Sequence, residues 1–294
     1  MSMKKTIIPG LTGLLFLLFL NTETLSQSQT PYGSNNGKYE KVNGVKLYYE
    51  VYGKGTPLMV IHGGLSSIGD MAPVISEMSK KFQVIAVDCP GQGRSEQAET
   101  LSYQLMADYF EKMIDQLKLD SVYVLGYSDG GNVALLMAAD RPDKVKKALA
   151  FAAAANTSGY YSYATEGLSQ LNPEFVEKNF KWWLDPHLQR TPQKDKWKKF
   201  IVDFAKMCAT SVIVPDAKLL STKTKVMIMQ GDNDIVKPEH TIEIHQKLKG
   251  SQLCIVPAAS HFILYERPEL FNLLATEFFE KEAKLFDWTK LAGN

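Results

Sequence analysis

Ser128, Asp234 and His261 are three side chains whose types could together carry nucleophilic catalysis. A serine hydroxyl is a weak nucleophile at its ordinary pKa. It becomes effective when an imidazole takes its proton and a carboxylate fixes the imidazole's tautomer and supports its charged form. Such a set attacks an electrophilic carbonyl carbon. Ser128 stands in "VLGYSDGGNVAL", where Gly126-Tyr127-Ser128-Asp129-Gly130 has the spacing G-x-S-x-G between a strand-like run (Val122, Val124, Leu125) and a helix-like one (Val133, Leu135, Leu136). A serine in so sharp a strand-to-helix turn leaves no room for side chains two residues to either side, so both are glycine. His261 follows the run "LCIVP" and Asp234 follows "KVMIM". Asp232 competes with Asp234 as the acid, and the residues alone leave both open.

The elements that must position these residues alternate. "KYEKV" and "VKLYYEVY" flank Asn43-Gly44, a hairpin signal. From Pro57 onward strands ("PLMVI", "FQVIAV", "SVYVLGY", "VKKALAF", "KVMIM", "SQLCIVP") alternate with helical patterns, the signature of a mainly parallel sheet covered on both faces. Each of the three residues follows a strand, so all three are expected at the carboxyl edge of one sheet. Residues 156–219 interrupt the alternation. There Trp197, Phe200, Ile201, Phe204 and Met207 recur at helical spacing while Lys196, Lys198, Lys199 and Lys206 take the opposite face. This segment is expected to form a helical lid over the site, with Tyr160, Tyr161, Trp182 and Trp183 supplying aromatic surface. The sheet core is expected from 27–155 and 220–294.

These features resemble the α/β-hydrolase superfamily across residues 38 to 282. The elbow and the chain order serine–acid–histidine carry the resemblance, as do three further segments, and the family's spacing G-x-x-D from Gly231 implies Asp234 rather than Asp232 as the acid. His62-Gly63-Gly64 is similar to the family's oxyanion loop, "DCPGQGRS" (Asp88–Ser95) to its D-x-P-G-x-G-x-S turn, and His261 with Glu266 and Pro268 to its histidine loop. The resemblance implies an α/β-hydrolase fold, no cofactor, and an oxyanion hole made by the backbone N–H groups of Gly64 and Asp129. It implies hydrolysis of a small molecule's carboxylic ester, or a related acyl bond, through an acyl-enzyme. Carbon–carbon hydrolysis, lactone hydrolysis and perhydrolysis belong to the same fold, and a catalytically silent ligand-binding protein is the alternative from another class. "GYSDGG" with "QGDNDIVKPEH" and "ASH" is similar to the valacyclovir-hydrolase branch, which implies amino-acid-type esters. Asp129, Tyr127, Leu65 and Trp183 are the expected substrate contacts. Asp129 is the unusual one: its carboxylate stands where negative charge would develop, so it pairs locally, faces solvent, or meets a cationic substrate group. His62 is expected to hold its loop rather than move protons.

Composition bounds the rest. The chain has 294 residues, 45% hydrophobic and 22% charged, with a formal net charge of +1. That offers no basic bias toward nucleic acid or anionic membranes. Lys4-Lys5, the apolar run "IIPGLTGLLFLLFL" and the small polar "NTETLSQSQ" make the three-part layout of a secretory signal ending at Ser26. A periplasmic or extracellular location follows as an expectation, without stable membrane insertion once the signal is removed. Cys89, Cys208 and Cys254 are too few for a disulfide framework and lack metal-ligand spacing. His240 and His245 fall on different faces of one helix, so no metal site is expected.

Overall fold

A computed structural model describes residues 37–283. The expected signal segment, the start of the core before residue 37 and its end after 283 lie outside the described residues. Eight strands form one sheet: β1 (Lys38–Val42), β2 (Val45–Tyr52), β3 (Pro57–Ile61), β4 (Gln83–Val87), β5 (Val122–Tyr127), β6 (Val145–Phe151), β7 (Lys225–Asn233) and β8 (Gln252–Ser260). Their spatial order is β1-β2-β4-β3-β5-β6-β7-β8. β1 and β2 pair antiparallel, β2 pairs antiparallel with β4, and every later pairing is parallel. The β1–β2 turn is Asn43-Gly44 with φ of 46° and 89°, the left-handed pair that a two-residue hairpin needs.

The helices are α1 (Ala72–Met78), α2 (Tyr103–Gln116), α3 (Asp129–Asp140), α4 (Ser162–Ser169), α5 (Pro173–Asn179), α6 (Lys181–Arg190), α7 (Trp197–Cys208), α8 (Asp216–Ser221), α9 (Pro238–Lys247), α10 (Ile263–Glu266) and α11 (Pro268–Glu280). Successive strand residues point to opposite faces, and two cores result. Met59, Ile61, Val124 and Ala150 pack with α2, α3 and α9 on one face. Leu58, Val60, Leu125 and Phe151 pack with α1, α10 and α11 on the other. Helix α3 is buried from Asp129 to Ala138, which explains why its sequence is apolar and small all round rather than amphipathic.

The chain between β6 and β7 carries α4 to α8. Helix α7 buries Trp197, Phe200, Ile201, Phe204 and Met207, the periodic set read from the sequence, and these residues join the same core as α2 and α3. Helix α8 returns to the sheet body, where Lys218 Nζ pairs with Asp140 of α3. All three cysteines are free thiols, Cys89 and Cys208 buried. No described helix is long and apolar enough to cross a membrane.

Candidate active site

The turn between β5 and α3 is as tight as its sequence demands. Ser128 has φ 54° and ψ −118°, a left-handed backbone that a side-chain-bearing residue rarely adopts. A Cβ on Gly126 would lie 2.0 Å from the Gly130 carbonyl oxygen, and one on Gly130 would lie 2.4 Å from that of Ile61. Both glycines are therefore steric requirements of the elbow. The serine sits just before α3, and Asp129 is its first residue, whose N–H has no acceptor within the helix.

The three expected residues meet at the carboxyl ends of β5, β7 and β8. Ser128 Oγ lies 3.0 Å from His261 Nε2, and His261 Nδ1 lies 2.7 Å from Asp234 Oδ1. That Asp234 oxygen also accepts the Val236 N–H at 3.1 Å, which orients the carboxylate. Its other oxygen is buried and has no hydrogen-bond partner among the described residues. With Nδ1–H donated to a carboxylate, Nε2 is left to accept from the serine hydroxyl. Asp232 is exposed; it accepts from Ala259 N and Asn233 Nδ2 and touches none of these groups. Glu266 accepts from the backbone and hydroxyl of Ser260, closing the histidine loop.

His62 is fully buried between two backbone partners. Its Nδ1 lies 2.7 Å from the Gly63 carbonyl and its Nε2 accepts the Cys89 N–H at 2.9 Å. Burial pushes its pKa down, so it stays neutral and holds the loop after β3 against the loop after β4. Asp88, opening the second loop, accepts from Ile68 N and Arg94 N. His240 accepts the Ala155 N–H, whereas His245 meets Ser251. No cluster of side chains suited to a metal ion occurs among the described residues.

A cavity of about 270 Å³ opens above Ser128 and His261. Gly63, Gly64, Leu65 and Tyr127 line it from the sheet side, and Tyr163, Leu168, Phe180 and Trp182 from the insertion. Two expected contacts lie elsewhere. Trp183 is buried inside the insertion, stacked on His187 at 4.6 Å, because neighbouring residues of a helix cannot share one face; Trp182, 39% exposed, takes the cavity side. Asp129 is not on the cavity wall. Its Oδ1 accepts the Tyr103 hydroxyl at 2.7 Å, and its side chain packs against Gly64. Burial raises its pKa, while the Tyr103 hydrogen bond and His261 pull it back. Tyr163, Tyr265 and Asp70 line the cavity and Tyr103 lies behind it on Asp129, and no sequence motif marks any of them; Tyr265 donates to the Asp70 carbonyl at 2.6 Å.

Residues 56–196 match the family of the alpha/beta hydrolase fold. The chain has the α/β-hydrolase fold. The chain is 28% identical over 260 residues to human serine hydrolase BPHL, covering 81% of this chain and 84% of that one. It is likewise 28% identical over 240 residues to a pimeloyl-[acyl-carrier protein] methyl ester esterase of Neisseria meningitidis, covering 75% and 76%. Carboxylesterase CesB of Bacillus subtilis shares the fold with a TM-score of 0.67 at 20% identity, over 84% of this chain and 92% of that one.

Proposed function

We propose that the hydrolase cleaves a carboxylic ester of a small, largely apolar molecule through an acyl-enzyme. The observation that carries this reading is the continuous hydrogen-bonded chain Ser128–His261–Asp234 beneath an apolar cavity. His261 takes the Ser128 proton as Oγ attacks the carbonyl carbon, and Asp234 stabilises the imidazolium that forms. The N–H groups of Gly64 and Asp129 hold the oxyanion, each such donor being worth about 100- to 1,000-fold in turnover. His261 then protonates the departing alcohol, and water, activated by the same imidazole, releases the acid. Relatives named as a serine hydrolase and a methyl ester esterase support the choice of ester chemistry.

A preference for amino-acid-type esters needs a carboxylate that the substrate can reach. Asp129 is turned toward Tyr103, so Asp70, at the cavity rim, is the acid that could meet an ammonium group. Size-matched neutral and α-amino p-nitrophenyl esters test both levels. Turnover of the neutral ester, lost in Ser128→Ala together with fluorophosphonate labelling, is expected. No turnover in the wild type, or full turnover in Ser128→Ala, refutes the reading. The export reading rests on the sequence of residues 1–26. A mature chain beginning at Gln27 in the exported fraction is its expected outcome, and an unprocessed cytoplasmic chain refutes it.

A further inference from the structure

The two oxyanion donors belong to different elements. Gly64 is in the loop after β3 and Asp129 opens α3. Donors that stabilise a transition-state charge act only when held to within a few tenths of an ångström, so something must fix their separation. The Asp129 carboxyl occupies that position: its Oδ2 lies 2.3 Å from where a Cβ on Gly64 would be, so the oxygen rests directly on the glycine. The other oxygen, Oδ1, is held by the Tyr103 hydroxyl at 2.7 Å. Tyr103 is buried in the first turn of α2, whose start is fixed by Ser102 accepting the Leu105 N–H. Phe204 of α7 closes the same flank of Gly64, its ring 2.6 Å from that Cβ position. Gly64 thus abuts both a carboxyl and a ring.

We propose that Tyr103 is a positioning residue for oxyanion stabilisation, acting through the Asp129 carboxyl, which it clamps against Gly64. The ionisable groups around that carboxyl are Tyr103, Cys89, Cys208, Tyr160 and His261, and His261 alone among them can become a cation. The carboxyl therefore has no permanent countercharge, and its orientation rests on the phenol. This inference relies on the ester-hydrolase reading.

The test begins with wild type and Ser128→Ala on p-nitrophenyl acetate, which decides that reading by itself. If it stands, Tyr103→Phe is measured for kcat, KM and affinity for two inhibitors: a trifluoromethyl ketone, whose adduct needs the oxyanion hole, and a non-hydrolysable substrate analogue that does not. Losing the hydrogen bond between the phenol and the carboxyl predicts about a 10-fold fall in kcat and a matching loss of ketone affinity. KM and analogue affinity stay within about twofold, since ground-state binding is not touched. Equal losses with both inhibitors, or a kcat within about twofold of wild type, overturn the proposal. If Tyr103→Phe does not fold, Asp129→Asn answers instead. It keeps an oxygen for the Tyr103 hydroxyl and the shape against Gly64, so it must retain ketone affinity far better than Asp129→Ala; equal affinities overturn the brace.

Discussion

Asp232 lies at the end of β7 and Asp234 just past it, yet only the second reaches His261. Asp234→Asn is expected to lower kcat about 10³–10⁴-fold by leaving the imidazole in the wrong tautomer. Asp232→Asn, altering an exposed side chain with local partners, should stay within about twofold. Steady-state kinetics on the purified variants decides between them, and a reversed order would exchange the two assignments. The elbow sets a different kind of limit. Gly126→Ala would drive a methyl into the Gly130 carbonyl, and no side-chain rotation relieves a clash with backbone. Its effect should appear as lost soluble protein or a lower melting temperature, not as a change in KM. The elbow glycines were readable from sequence because backbone sterics leave few alternatives, whereas Asp234 was separated from Asp232 only by the resemblance to the family's spacing from Gly231. Tyr103 was not, because its partner is 26 positions away and nothing in a helix's first residue announces a distant hydrogen bond.

Helix α6 shows what periodicity can and cannot decide. The sequence places two tryptophans on it but does not say which faces the cavity, since that depends on how α6 rolls against α7. Trp183 stacks on His187 and Phe200, so Trp183→Ala should cost roughly 3–5 kcal/mol of stability. Trp182→Ala should instead shift preference among acyl chain lengths while leaving melting nearly unchanged. Equal melting losses in the two variants would contradict this division. His187 adds a pH dependence to the same helix. Burial, helped by Arg190, lowers its pKa to about 4. An unfolded histidine titrates near 6.5, so between these values the unfolded chain binds a proton that the folded chain does not. The contribution is therefore complete above about pH 6.5 and is lost progressively as pH falls toward 4, on the order of 3 kcal/mol in full. Urea titrations across that range should show the slope in wild type and a shallower one in His187→Gln, the buried His62 and His240, whose pKa values are also lowered, keeping the remainder. The strands, the hairpin and α7 were all legible because each carries a clean period or a turn pair. The extent of the insertion was less so: α8, which the 156–219 reading includes, lies against α3 through Lys218 and Asp140.

At the scale of the whole molecule, the insertion is not a detachable cover. Phe200, Ile201 and Phe204 share one core with residues of α2 and α3, so deleting residues 160–210 would strip apolar surface from the body itself. Heating should give one transition, with tryptophan fluorescence and far-UV circular dichroism melting together. Trp182, Trp183 and Trp197 make fluorescence a report mainly on the insertion, three of the four tryptophans in the chain. An early fluorescence transition would reveal a separately melting unit. The contact of Phe204 with Gly64 then has an outcome for selectivity. A guest too bulky for the cavity presses on α4, which lines it through Tyr163 and Leu168 and packs against α7, and is expected to shift the Phe204 ring away from Gly64. Such a molecule can occupy the site and still be processed slowly, because the groups that polarise its carbonyl have drifted apart. Size is then judged by speed rather than by residence, and oversized esters should act as inhibitors before they act as substrates.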